Sequence, residues 1–125
     1  MDSAVFERSV VGRFLLIRTN GTILFMASVE LLDVDPRSLR LPPSRAGGAD
    51  PWKLQRQIAR YGKLTAGMPR IFVFRASDGE LVVYDGVTRA TRVGKLLPGQ
   101  TVPVEVIGDL PSRGSIYPTV GDRLP

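Results

Sequence analysis

Short apolar runs punctuated by glycine and proline make up most of the chain, and their periodicity predicts strands more often than helices. Arg13-Phe-Leu-Leu-Ile-Arg18 and Thr22-Ile-Leu-Phe-Met-Ala27 flank Thr19-Asn20-Gly21. Asn-Gly between two strand-like runs is a strong hairpin signal, so residues 1–28 are predicted to form an N-terminal hairpin. Its strands are apolar on both faces, which suits burial under other elements or against a second copy in a homodimer. Val29-Glu-Leu-Leu-Asp-Val34 comes next, read as a short strand ended by Pro36, although its length fits a helical turn as well.

Pro36 to Asp50 holds three prolines, two glycines and Arg37, Arg40 and Arg45, the composition of a connecting loop. A loop of this length inside a small domain is uncommon unless it has a role or is mobile. The helix signals after it are complete: Asp50 as N-cap, Pro51 at the first helical position and Gly62 as the stop predict a helix over Pro51–Tyr61. Trp52, Leu54 or Gln55, Ile58 and Tyr61 or Ala59 can share one face, with Trp52 as a core anchor rather than a base-stacking platform. Lys53, Arg56, Gln57 and Arg60 then form a solvated outer face.

A glycine-containing loop, with Lys63 and Thr65 as candidates to cover a ligand, leads to a second predicted hairpin. It pairs Arg70-Ile-Phe-Val-Phe-Arg75 with Glu80-Leu-Val-Val-Tyr84 across Ala76-Ser-Asp-Gly79. A helix is expected from about Val87 to Leu97, broken by Pro98-Gly99, and Thr101 to Ile107 alternates as a strand. Residues 109–125 show no periodicity and are expected to be an irregular tail. Strands outnumber helices and the hairpins require antiparallel pairing, so residues 1–125 are read as a single α+β domain.

Composition removes several kinds of chemistry. Cysteine and histidine are both absent from the 125 residues. That excludes disulfides, a thiol nucleophile, a Cys or His zinc site and a Ser-His-Asp triad. Carboxylates, hydroxyls, lysine, arginine and backbone amides remain, the set that serves phosphoryl chemistry with oxygen-bound Mg²⁺. The net charge is +5, and 14 of the 17 basic residues are arginine. Its rigid fork favours anionic partners such as phosphate. No run of about 18 apolar residues predicts a membrane helix. Glu7, Arg8, Arg13 and Arg18 interrupt any signal-peptide layout, so a cytoplasmic protein without a membrane partner is expected.

The step from Leu81-Val-Val-Tyr84 through Asp85-Gly86 into the second helix is the strongest chemical candidate. A helix starting there directs unpaired N–H groups, with Arg89 and Arg92, at whatever lies beyond the strand end, which is how an anion site is built. Arg92 follows Arg89 by three positions, so both can converge on one anion. Thr88 can add a hydroxyl. Asp85 has two readings: an N-cap that accepts the helix's free N–H groups, or a catalytic or metal-holding carboxylate that positions Mg²⁺ or water beside a phosphate. Asp50, Asp78 and Glu80 are candidates by type for a second carboxylate.

Val83-Tyr-Asp-Gly-Val-Thr-Arg-Ala90, followed beyond Pro98-Gly99 by Val102-Pro-Val-Glu-Val-Ile107, resembles the signature of the ParB/sulfiredoxin superfamily. Leu39-Arg-Leu41, the helix with Leu54 and Ile58, Gly62 and Pro69-Arg-Ile-Phe-Val73 follow the same family's order, so the similarity covers roughly residues 29–108. The resemblance implies a ParB/sulfiredoxin-like small mixed sheet with two main helices. Gly86-Val87-Thr88-Arg89 would be the box that grips a nucleotide's phosphates, with Gly86 admitting the backbone and Arg89 supplying the fork. It also implies that Arg40 faces the ligand. Relatives include CTP-binding chromosome-partitioning proteins, ATP-using sulfiredoxins and small domains described as nucleases or NTPases. Val87 stands where a sulfiredoxin has its reactive cysteine, and Thr88 where related domains often carry histidine, so sulfiredoxin and histidine chemistry are excluded. No room exists for the helix-turn-helix of a partitioning protein.

These residues leave distinct readings open. One is a nucleotide-binding domain acting as an NTPase or metal-assisted nuclease on a nucleoside triphosphate with Mg²⁺. Another is a noncatalytic module that binds nucleic acid or a protein, and a third is a toxin-like effector domain of a larger polypeptide.

Overall fold

The computed structural model describes residues 9–11, 14–19 and 22–27 by their backbone and residues 29–125 with their side chains. The chain divides into two compact units, Met1–Glu30 and Leu31–Pro125. In the first, β1 (Ser9–Val11), β2 (Phe14–Thr19) and β3 (Thr22–Ala27) form an antiparallel sheet in that order. The predicted hairpin is present, with β2 and β3 in register from Phe14↔Ala27 to Thr19↔Thr22. Arg13 and the Asn20-Gly21 turn lie outside the described residues.

The larger unit is built on a four-stranded mixed sheet in the order β4-β7-β5-β6, with β4 at Glu30–Val34, β5 at Ile71–Arg75, β6 at Leu81–Asp85 and β7 at Val102–Asp109. β5 pairs antiparallel with β6 and parallel with β7. Two helices, α1 (Pro51–Tyr61) and α2 (Val87–Leu96), pack against each other. The fold is a small α+β arrangement with a mixed sheet and two main helices. Among the described residues no helix is long and apolar enough to cross a membrane.

The local signals act as expected. Asp50 accepts hydrogen bonds from the N–H groups of Trp52 at 2.9 Å and Lys53 at 3.3 Å, which lower its pKa, and Gly62 ends α1 at φ 54°. Ala76-Ser-Asp-Gly79 closes the β5–β6 hairpin, Ala76 N–H donating to Glu80 O at 2.8 Å. Asp78 accepts from the N–H groups of Gly114 and Ser115, which hold its carboxyl well below the usual range and tie the turn to the tail. Between α2 and the sheet lies the core: Val87, Ala90 and Val93, three residues apart on one face of α2, with Ile71 and Val73 of β5 and Val102 and Val104 of β7.

Three expectations change. The 36–50 segment is more than a connector, because Leu39–Leu41 extends alongside β6: Arg40 N–H donates to Leu81 O at 2.8 Å, and Val83 N–H to Arg40 O at 2.9 Å. The tail supplies the next layer of that ladder. Leu41 N–H donates to Pro118 O and Val120 N–H to Leu39 O, each at 2.8 Å, and Val120 is buried. Trp52 is not a core anchor but 75 % exposed. At 100° per residue it stands about 160° around α1 from Leu54, the one buried residue of that helix, and cannot share its face.

Candidate functional site

β6 delivers the chain to α2 through one backbone irregularity. Gly86 sits at φ 118°, ψ 21°, a left-handed conformation that side-chain-bearing residues rarely adopt, and it occupies the N-cap position itself. Close packing adds a second reason for glycine: a Cβ there would lie 3.0 Å from Ile71 Cγ1 in the core and 3.1 Å from Arg89 Nη2. Gly86→Ala is therefore expected to destabilise the domain by about 2–4 kcal/mol through strain and overpacking, read as a lower urea midpoint at unchanged slope.

The N-cap reading of Asp85 is corrected by this geometry. Asp85 is the last residue of β6, its side chain 62 % exposed, and no side chain caps α2. The first intrahelical bond runs from Ala90 N–H to Gly86 O at 2.9 Å, so the amides before it point out of the helix end. The Asp85 carboxylate instead meets Arg89 Nη2 at 3.3 Å, an i,i+4 pair. The same Nη2 donates to Arg70 O at 3.0 Å, while Arg89 Nε is buried without a partner among the described residues.

A cleft of about 740 Å³ opens at this helix end. Asp85, Gly86, Val87, Thr88 and Arg89 form one wall, with Tyr84 beside them, and Pro42, Ser44 and Arg45 contribute another. Lys53, Arg56, Gln57, Arg60 and Tyr61 of α1 complete it. The outer charged face assigned to solvent thus lines the cleft. Its signal was present in the spacing, since positions 53, 56, 57 and 60 fall within a 100° arc of a helix, but the direction of that arc depends on how α1 packs. Five basic residues (Arg45, Lys53, Arg56, Arg60, Arg89) surround the space and Asp85 is the single carboxylate lining it. Lys53, Arg56 and Arg60 have no carboxylate partner among the described residues.

Two arginines expected at the ligand lie elsewhere. Arg92 does not line this cleft; it is 2 % exposed and turned toward the loop after α1, where it and Arg89 border a separate small cavity of about 150 Å³. Its Nη1 donates to Gly62 O at 2.8 Å and Leu64 O at 2.9 Å, Nε reaches Gln57 Oε1 at 3.4 Å, and the guanidinium lies 5.5 Å from the Tyr61 ring centroid. Burial lowers its pKa, opposed by Tyr61. Arg40 is occupied at the opposite end of β6, where Nε pairs with Glu80 at 2.8 Å and Nη1 donates to Tyr117 O at 2.9 Å. Lys63 and Thr65 also lie outside the cleft lining, and Thr65 accepts a hydrogen bond from Gln100 at 3.3 Å.

The carboxylates proposed to join Asp85 are likewise committed: Asp50 caps α1, Asp78 holds Gly114 and Ser115, and Glu80 pairs with Arg40. Among the described residues no three metal-ligating side chains cluster. Mg²⁺ held by the protein alone does not fit this donor set, because it needs several oxygen ligands and Asp85 offers one carboxylate. What the cleft offers is a field of positive charge, a set of free helix amides and the Thr88 hydroxyl. No protein-family model matches the chain, and no curated protein matches it.

Proposed function

We propose that the cleft binds the phosphate groups of a nucleotide. The observation that carries this is the convergence of five cations from three separated segments on the uncapped N-terminus of α2, against one carboxylate. Arginine forks and outward amides favour multiply charged oxyanions over a single carboxylate ligand. In this reading Arg89, Thr88 and the amides after Gly86 hold one phosphate, while Arg45 and the α1 stripe neutralise the others. The nucleotide would bring Mg²⁺ on its own phosphates, in the cytoplasm. The resemblance to the ParB/sulfiredoxin superfamily supports the same assignment, since the Gly86–Arg89 box has the left-handed glycine and following helix that such a grip requires. Arg92 and Arg40, occupied elsewhere, drop out of the proposed ligand set. Any hydrolytic activity, as an NTPase or a nuclease, would have to work from Asp85, exposed beside Arg89.

Calorimetric titration with ATP, CTP and inorganic triphosphate, with and without Mg²⁺, tests the proposal. Arg89→Ala is expected to weaken binding about tenfold or more, roughly 1.4 kcal/mol. Asp85→Asn is expected to tighten metal-free triphosphate severalfold, because it removes the sole negative charge lining the cleft and releases Arg89 Nη2. Equal affinity in wild type and Arg89→Ala would overturn the site. An Asp85→Asn variant that loses affinity only for the Mg²⁺ complex would assign the carboxylate to metal.

A further inference from the structure

Trp52 has a position that the phosphate cleft does not explain. It is 75 % exposed and is not part of the cleft lining. No ring or cation packs on it among the described residues. It is one helical turn before Arg56, and at 100° per residue the two side chains leave α1 about 40° apart, so the indole borders the cationic stripe on its outer side. The stripe itself runs from Lys53 to Arg60, about 10 Å along the helix axis.

We infer that the ligand is a single-stranded oligonucleotide, its backbone along Lys53, Arg56 and Arg60 and one base stacked on Trp52; this rests on the phosphate reading above. A ligand confined to the cleft does not meet Trp52, whereas a strand crossing the Arg56 edge does. The base side of the site favours a strand over a lone nucleotide: the α1 and Arg45 cations are exposed, and Ser44, Gln57, Tyr61 and Tyr84 are the other polar side chains available to read a base. Nucleotide pockets more often enclose the base with fixed polar groups. Backbone charges on an open basic stripe, with an aromatic face beside them, are how single strands are held without sequence preference. A duplex offers no free base face to the indole.

Trp52 is the chain's single tryptophan, so its emission reports this contact alone. Titration with a short oligodeoxythymidylate is expected to quench it. Inorganic triphosphate should displace the oligonucleotide while leaving the emission of the free protein unchanged. Trp52→Ala should weaken the oligonucleotide about tenfold, within the range of base stacking, leave triphosphate affinity unchanged, and be largely rescued by Trp52→Phe. If the oligonucleotide binds and Arg89→Ala weakens it, but the emission and the Trp52→Ala affinity do not change, the stacking inference is overturned and the phosphate reading stands. If triphosphate binds and the oligonucleotide does not, or a duplex of equal length binds tighter, the single-strand ligand is wrong. Failure of both ligands to bind overturns the phosphate reading itself.

Discussion

Arg92→Ala is expected to lower the unfolding free energy by about 3–5 kcal/mol while leaving anion binding by the folded fraction intact. Hydrogen bonds to a charged donor contribute about 1.5–3 kcal/mol each, and Arg92 makes two of them, to Gly62 O and Leu64 O, at 2.8 and 2.9 Å. Truncation also strips packing from Met68, whose sulfur lies 3.3 Å from Nη2, and from the Tyr61 ring. Arg92→Lys keeps the charge but cannot reproduce a planar fork that spans two carbonyls and a glutamine, so most of the loss should remain. Chemical denaturation monitored alongside triphosphate titration separates the roles. A variant as stable as wild type that binds triphosphate more weakly would return Arg92 to the ligand site.

This arginine also marks where sequence reasoning stops. Arg89 and Arg92 are 60° apart on one helix and were expected to act together. The separation is enough to leave Arg92 bonded to the Gly62–Met68 loop and out of the cleft that Arg89 lines, and the path of that loop is a tertiary property. Arg40 followed the same logic: its backbone lies in the ladder beside β6, but its side chain pairs with Glu80, just before β6 and away from the helix end. By contrast, elements bounded by chemically strict residues were legible: α1 between Asp50-Pro51 and Gly62, the β5–β6 hairpin at Asp78-Gly79, and the start of α2 after Gly86. The tail was not, because its pairing rests on single contacts between Leu39–Leu41 and Pro118–Val120, too few residues to show a period. Of the site itself, the Gly86–Arg89 turn was visible. The α1 stripe was visible as a spacing without a direction.

Reversing that stripe, with Lys53→Glu, Arg56→Glu and Arg60→Glu together, is expected to weaken binding of triphosphate and oligonucleotide more than a hundredfold and to flatten its salt dependence. Each phosphate contact removed takes about one unit from the slope of log K against log salt, and three new carboxylates repel the ligand in addition. A hundredfold loss corresponds to about 2.7 kcal/mol, or about 0.9 kcal/mol for each of three positions. Stability should move little, because these side chains are exposed and lack carboxylate partners among the described residues. Glu at position 53 would even favour the helix: three residues after Asp50, it completes a capping-box arrangement and opposes the positive end of the dipole. The variant is thus the converse of Arg92→Ala, folded but unable to hold an anion. If it retained wild-type affinity, the cations of α1 would be ordinary surface charge and the ligand would have to be held at the α2 end alone.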